Sequence, residues 1–306
     1  MEREVCRAHS RNQNTLIHKS DAMKVLVTGA TGFLGSYVVP EMLKHGYTVV
    51  ATSRSDEKAR LCEWFSQVKY ISWDLNDACE DCYSFFGKPE MLIHLAWEGL
   101  PNYTDLSHFE RNLFANYVFL KNMLEHGLRN LIVAGTCFEY GMKNGALHED
   151  MKTDPQNSYG LAKDALRKFL EQLQKKIDFD FRWIRLFYLY GKGQNPASVI
   201  SQLDNALEKG ETIFNMSGGE QLRDYLPVEK AAEYIAKIAV QSRIKGVINC
   251  CSGAPVSIRK LMEDYLAKQQ KSIHLNFGYY PYPDHEPMAF WGDRAKLNQA
   301  LNSQLY

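Results

Sequence analysis

The first strong hydropathy signal is a continuous apolar run, KVLVTGA (24–30), that ends on glycine. A run without polar alternation reads as a strand buried on both faces, the habit of parallel sheets. It is followed by TGFLGSYVVPEMLKHG (31–46), whose apolar residues fall at helical spacing and stop at Gly46. YTVVATS (47–53) then restores a continuous run. Strand, helix and strand within residues 24–53 predict a parallel crossover unit. The alternation continues through VKYISWD (68–74), MLIHLAW (91–97), a helix over about 106–126, NLIVAGT (130–136), a helix over 158–175 and FRWIRLFYLYG (181–191). These elements predict an α/β chain with a doubly wound parallel sheet of the Rossmann type over residues 23–190.

Beyond residue 190 the alternation breaks up. Gly, Pro and Asn gather in GKGQNP, SGGEQ and YYPYPDHEP, with helical stretches between them. A smaller, irregular substrate lobe over 191–306 is expected. Residues 1–22 are polar, show no period and lack the apolar centre of a secretory signal. A mobile extension is expected there, with the folded chain starting at Met23.

Charge narrows the partners. Lys plus Arg and Asp plus Glu each number 36, so the formal charge is zero. That excludes a bulk electrostatic grip on nucleic acid or an anionic membrane. No apolar run approaches the ~20 residues of a membrane helix. The seven cysteines are odd in number and sit mostly in apolar runs, which points to a reducing, cytoplasmic compartment. Cys79 and Cys82 have a C-x2-C spacing, but no second pair completes a zinc site, so no metal is expected.

The first strand-to-helix turn, GATGFLG, places glycines at 29, 32 and 35. In this context Gly29 permits the tight turn, Gly32 admits a pyrophosphate close to the backbone, and Gly35 brings the helix onto the sheet. The helix N-terminus then faces the anion. A carboxylate at the end of the second strand would bind the ribose hydroxyls of NAD. Ser53 and Arg54 stand there instead, a hydroxyl and a guanidinium suited to a 2′-phosphate, so NADP(H) is favoured. Asp56 keeps NAD as the alternative.

Tyr-x3-Lys occurs three times: Tyr117 with Lys121, Tyr159 with Lys163 and Tyr188 with Lys192. The last spans Gly191 and the first lies mid-helix without a hydroxyl partner. Only Tyr159 opens a helix soon after a strand ending in a hydroxyl, Thr136, at the end of the sheet where ligands bind. Four helical residues rotate through about 400°, so Tyr159 and Lys163 share a face. An ammonium near a phenol favours the phenolate. Lowering the phenol by about 3 units takes roughly 4 kcal/mol, which a desolvated lysine and a nicotinium charge are expected to supply.

The pieces TGATGFLG, WDL (73–75), HLAW (94–97), AGTCFEYG (134–141), SYGLAK (158–163), LRDYLPVEKAAEYI (222–235) and NCCSG (249–253) together resemble the extended short-chain dehydrogenase/reductases, in particular the nucleotide-sugar epimerases, dehydratases and reductases. The resemblance runs from Met23 to about Leu297. It implies that Thr136, Tyr159 and Lys163 are the catalytic set. It implies a cofactor site that adds Thr31, Phe33, Leu34, Asp74, Leu75, Leu95, Ala96 and Trp97 to the glycines, Ser53 and Arg54, with Tyr159 and Lys163 at its reactive end. Asp74 and Leu75 would contact the adenine. Trp97, Thr136, Cys137 and Arg223 would meet the substrate, Arg223 at its diphosphate. It also implies a homodimer built from the 106–126 and 158–175 helices.

The chain departs from that pattern at two places. Tyr188 stands where the family often has asparagine. Cys137 and Phe138 follow Thr136 where the dehydratases place an Asp-Glu pair, and Glu139, one position late, is expected to be a turn residue. Dehydration is therefore set aside. The expected reaction is reduction of a nucleotide-linked 4-keto-6-deoxyhexose by NADPH, with the proton from Tyr159. A nucleotide-sugar 4-epimerase is the alternative, and a non-catalytic dinucleotide-binding sensor or scaffold is the alternative from another class. Trp97 and Tyr103, in AWEGLPNY, either shape the sugar pocket or are packed aromatics.

Overall fold

The computed structural model describes residues 22–282 and 286–303. Apart from Ala22, the extension expected over 1–22 lies outside them. The apolar runs become strands as read: β1 (Lys24–Thr28), β2 (Thr48–Ser53), β3 (Lys69–Ser72), β4 (Met91–His94) and β5 (Asn130–Thr136). Between them lie α1 (Gly35–Lys44), the short α2 (Asp56–Arg60) and α3 (Cys82–Phe85), and α4 (Leu113–Glu125). The helix expected from 106 begins instead with a π-helical turn, His108–Asn112.

After β5 come β6 (Gly145–Leu147), α5 (Ser158–Gln174), β7 (Asp180–Leu186) and β8 (Tyr188–Tyr190). The remainder contains α6 (Val199–Glu208), β9 (Ile213–Asn215), β10 (Leu222–Pro227), α7 (Val228–Val240), β11 (Gly246–Cys250), β12 (Pro255–Ser257), α8 (Ile258–Gln269), β13 (His274–Asn276), β14 (Phe290–Gly292) and α9 (Ala295–Asn302).

Seven strands form one parallel sheet in the order β11-β7-β5-β4-β1-β2-β3. The chain winds outward from β1 to β3, then crosses back to β4 on the other side of β1. The loops leaving β1 and β4 therefore diverge, and a crevice opens at the strand ends between them. Buried residues of α1, α7 and α9, including Val38, Met42, Ala232, Ile235 and Leu297, pack on one face. Leu113, Leu120 and Met123 of α4 and Leu166 and Leu170 of α5 pack on the other.

The division at residue 190 does not hold for the sheet. GVINC returns from the later sequence as the edge strand β11, pairing with β7, and α7 lies beside α1. Both carry ordinary signals, a continuous apolar run and a helical apolar stripe. The Gly- and Pro-rich loops around them masked the resumed pattern. FRWIRLFYLYG also breaks in two. Phe187 turns into a small cluster with Cys251 and Phe290, and β8 leaves to pair with β10. The separate lobe is what remains: α6 and α8 around Leu203, Phe214, Met216 and Met262.

Candidate active site

The glycine turn is enforced by contact. Gly29 has φ +66, and a Cβ there would lie 2.8 Å from the Ala96 nitrogen. A Cβ on Gly35 would sit 2.2 Å from the Gly29 oxygen. Both neighbours are backbone, so neither position tolerates a side chain. Below the turn the Thr28 hydroxyl accepts the Leu95 and Ala96 N–H groups at 3.2 and 3.3 Å. It also lies 2.9 Å from His94 Nδ1, while His94 Nε2 meets Asn116 Oδ1 at 2.6 Å. Burial pushes His94 down to about 3, so the imidazole stays neutral and ties β1, β4 and α4 into one rigid floor. His94 had drawn notice only as part of HLAW.

A single cleft over this floor is lined by Gly29, Thr31, Gly32, Ser53, Arg54, Asp74, Leu75, Leu95, Ala96 and Trp97. Ten of the fifteen expected cofactor residues thus converge. Phe33, Leu34, Gly35, Tyr159 and Lys163 stand outside that lining: Phe33 packs edge-on against Tyr37, Leu34 packs on the core, Gly35 serves helix packing, and Tyr159 and Lys163 lie in the buried start of α5. Ser55, Lys58, Glu98 and Asn112 line the cleft without having been expected. The open glycine cradle, the hydroxyls and the Asp74–Leu75 corner fit a dinucleotide. Asp56 does not line the cleft; its carboxylate holds Arg60 at 2.7 Å.

Ser53 is less free than its position suggested. Its hydroxyl receives a hydrogen bond from Thr31 at 2.9 Å and meets the Tyr70 hydroxyl at 2.9 Å. Arg54 donates to Glu98 at 2.6 Å and comes within 3.9 Å of Asp74.

Thr136 closes β5, and Tyr159 opens α5 beside it. Asn157 starts that helix by accepting the Gly160 N–H at 2.8 Å. A Cβ on Gly160 would lie 2.9 Å from the Phe138 carbonyl, so the glycine lets α5 approach the Cys137–Tyr140 turn. The Tyr159 N–H donates to the Tyr103 carbonyl at 3.0 Å, and its ring is boxed by Trp97, Tyr103, His108 and Phe138. Trp97 and Tyr103 therefore wall the catalytic phenol. Trp97 Nε1 donates to His108 Nδ1 at 3.1 Å, and His108 Nε2 donates to the Asn102 carbonyl at 2.7 Å. The buried His108 had no distinguishing pattern in the sequence.

Lys163 is 1% exposed. Its ammonium donates to the Ala134 carbonyl at 2.8 Å and lies 4.0 Å from the centre of the Trp97 ring. Burial lowers it to about 7, against a pull upward from Glu139. Burial also raises the Tyr159 phenol, with Tyr103, Glu139 and Cys137 adding to the rise and the Thr136 side chain opposing it. The expectation of a lowered phenol is not met by the chain's own groups. With no phenolate present, the Lys163 ammonium donates to the Ala134 carbonyl.

Glu139 is the turn residue that was expected, with a further role. Its carboxylate is wholly buried. One oxygen accepts the Thr136 N–H at 2.9 Å and Trp183 Nε1–H at 2.8 Å; the other accepts Arg185 Nε–H at 2.7 Å. Arg185 in an apolar strand was the available signal, because a buried guanidinium demands a buried counter-charge.

Of the expected substrate residues, Cys137 is buried among Tyr140, Leu147 and Phe290, and burial raises its thiol. Arg223 is buried too. It donates to Glu286 at 2.8 Å and stacks 4.8 Å from the Phe290 ring centre. Neither lines the cofactor cleft. Of the other Tyr-x3-Lys pairs, Tyr117 packs on Phe169 and Tyr188 packs among Phe138, Tyr225 and Phe290.

Residues 25–251 match the model of the NAD dependent epimerase/dehydratase family. The chain is 30% identical over 272 residues to dTDP-6-deoxy-L-talose 4-dehydrogenase (NAD(+)) of Aggregatibacter actinomycetemcomitans, covering 88% of this chain and 99% of that one. It is 26% identical to the dTDP-4-dehydro-6-deoxyglucose reductase of Escherichia coli, covering 84% and 86%. Its fold superposes on that of MoeE5, solved with UDP-glucuronic acid and NAD, with a TM-score of 0.78 at 25% identity, covering 92% of this chain and 94% of MoeE5. With a glycine-turn cleft, a Thr-Tyr-Lys set at the ends of β5 and α5, and these likenesses across nearly its whole folded length, the chain belongs to the NAD-dependent epimerase/dehydratase family, within the extended short-chain dehydrogenase/reductases.

Proposed function

We propose that this enzyme reduces the carbon-4 ketone of a nucleotide-linked 4-keto-6-deoxyhexose. The observation that carries the reading is the buried Tyr159 phenol at the start of α5, boxed by Trp97, Tyr103, His108 and Phe138 beside the Thr136 hydroxyl, where burial raises it. A phenol held neutral is a proton donor, which is what ketone reduction asks of it. Two relatives bear names that describe dTDP-6-deoxyhexose oxidoreduction, which supports the substrate class.

The cleft residues Gly29, Thr31, Gly32, Asp74 and Leu75 would hold a reduced dinucleotide, which would supply hydride to carbon 4 when bound. Thr136 holds the carbonyl oxygen by a hydrogen bond from its hydroxyl. Tyr159 gives its proton to that oxygen as the C=O π bond opens, leaving an alcohol and a phenolate. Lys163, four residues along the same helix, lends its charge to the phenolate. The Glu139 carboxylate fixes the Thr136 backbone from beneath.

NADPH is the proposed reductant. Arg54, Ser55 and Lys58 line the cleft beyond Ser53, and β2 itself ends on Ser53 in place of a carboxylate. One observation favours NAD instead: Arg54 is already engaged by Glu98. The nucleotide of the sugar is assigned to the α6–α8 lobe, with Arg223 toward the diphosphate. Phe114 and Val118 of α4 and Leu161 and Phe169 of α5 are exposed, and we assign this apolar face to a second copy of the chain. The six described cysteines are free thiols, in keeping with a cytoplasmic setting.

The test is to add NADPH or NADH and a dTDP-4-keto-6-deoxyhexose to purified protein and follow reduced-nicotinamide absorbance. Net loss matched by alcohol product is the expected result. Inversion of a carbon-4 alcohol on a sugar nucleotide, with no net change in reduced nicotinamide, would make the enzyme an epimerase. Saturable dinucleotide binding with no turnover across a panel of sugar nucleotides would make it a sensor.

A further inference from the structure

The 2′ end of the dinucleotide cleft holds more charge than the β2 terminus alone predicts. Ser53 is committed to Thr31 and Tyr70. Arg54, which follows it, reaches to Glu98, beyond the end of β4, with Nη1 to Oε1 at 2.6 Å. The second oxygen of Glu98 lies 3.1 Å from Arg111 Nη2. Asp74 approaches Arg54 to 3.9 Å from the β3 side. Both Arg54 and Glu98 line the cleft. Arg54, the cation directly after the strand end, thus already faces two carboxylates, while Lys58 also lines the cleft.

We infer that Glu98 sets the balance between phosphorylated and unphosphorylated dinucleotides, by competing with the 2′-phosphate for Arg54. The inference rests on the reading that this cleft binds a dinucleotide. A 2′-phosphate carries up to two negative charges. To reach Arg54 it must displace the Glu98 carboxylate and then sit beside it, a like-charge contact. A ribose 2′-hydroxyl asks neither and can donate to a carboxylate. Glu98 therefore penalises NADP(H) and leaves NAD(H) unpenalised. Arg111 holds the second oxygen of Glu98, also acts on Asp74, and does not line the cleft.

The experiment is a Kd measurement for NADPH and for NADH on the full chain, by quenching of tryptophan fluorescence; Trp73 and Trp97 line the cleft. It is run on the wild type, E98Q, R54Q, the double variant and R111Q. E98Q is expected to raise the ratio Kd(NADH)/Kd(NADPH) about tenfold at low salt, and by less as salt screens the charges. R54Q is expected to lower that ratio, and E98Q is expected to raise it by less in the R54Q background, where only the like-charge contact with Glu98 is relieved. R111Q is expected to lower it, because Glu98 and Asp74 then face Arg54 and the 2′-phosphate without that counter-charge. An unchanged ratio in E98Q, or a gain undiminished in the double variant, overturns the competition for Arg54 while the cofactor reading stands. Failure of the wild type to bind either dinucleotide overturns both.

Discussion

The Lys163 ammonium lies 4.0 Å from the centre of the Trp97 ring, and the indole is held there by His108. Lys163 is buried deeply enough to fall to about 7. Whatever steadies its charge therefore decides whether it is an ammonium at neutral pH, and an aromatic face opposes the burial penalty.

Replacing that face should move the pH profile. Trp97→Leu is expected to shift to lower pH the limb on which kcat/KM falls as pH rises, and to cut kcat/KM about tenfold at neutral pH. Trp97→Phe keeps a π face and should restore most of the loss. A profile unmoved in Trp97→Leu would reduce the indole to packing.

Tyr159→Phe should lower kcat by about 100- to 10,000-fold, the usual worth of a general acid. Dinucleotide affinity should change little, because the cleft lining does not include the phenol. Thr136→Val should also lower kcat, through loss of the carbonyl's hydrogen bond. The measurement is steady-state kinetics alongside dinucleotide titration. Full turnover in Tyr159→Phe would remove the proposed chemistry.

Lys163 also makes stability depend on pH. Its folded value, about 7, lies below its ordinary 10.5. Between these values the unfolded chain binds the extra proton, so stability rises with pH. Above 10.5 the lysine is neutral in both states and the penalty vanishes. Below about 7 it is charged in both, and the penalty, at most about 5 kcal/mol, is complete. Lys163→Met, by denaturant unfolding at several pH values, is therefore expected to gain most on the wild type near pH 7 and least near pH 10. The buried tyrosines contribute equally to both proteins and cancel.

How much of this was legible in the sequence follows from the range of each signal. Gly29, Thr136, Tyr159 and Lys163 announce themselves because strand, turn and helix are local patterns. The return of β11 to the sheet was not legible, since its run looks like any buried strand and nothing nearby names its neighbour. His108 was silent for a related reason: its partners, Trp97 and Asn102, are met through a π-helical turn that hydropathy does not mark. The direction of the Tyr159 shift was misread because it depends first on burial. A spacing of four residues places the two on one face but does not say that Nζ bonds Ala134. Arg54 was visible, but Glu98, which faces it from 44 positions away, was not.

Glu139 shows how a buried charge and a catalytic placement can be separated. Its carboxylate neutralises Arg185, both side chains being essentially inaccessible, and it also accepts the Thr136 N–H. Glu139→Gln keeps an acceptor oxygen for Thr136 and Trp183 but strands the Arg185 charge. A loss of about 3 kcal/mol or more is expected, read as a lower denaturant midpoint at an unchanged slope. The folded fraction should keep kcat within about threefold, because the turn beneath Thr136 remains anchored. Its alkaline limb should move to lower pH, since the charge that lifted Lys163 is gone. Glu139→Leu removes the acceptor as well and should lose kcat in addition to stability. Equal kcat in the Gln and Leu variants would mean that Thr136 is held by β5 alone, and the buried knot would then matter only for folding.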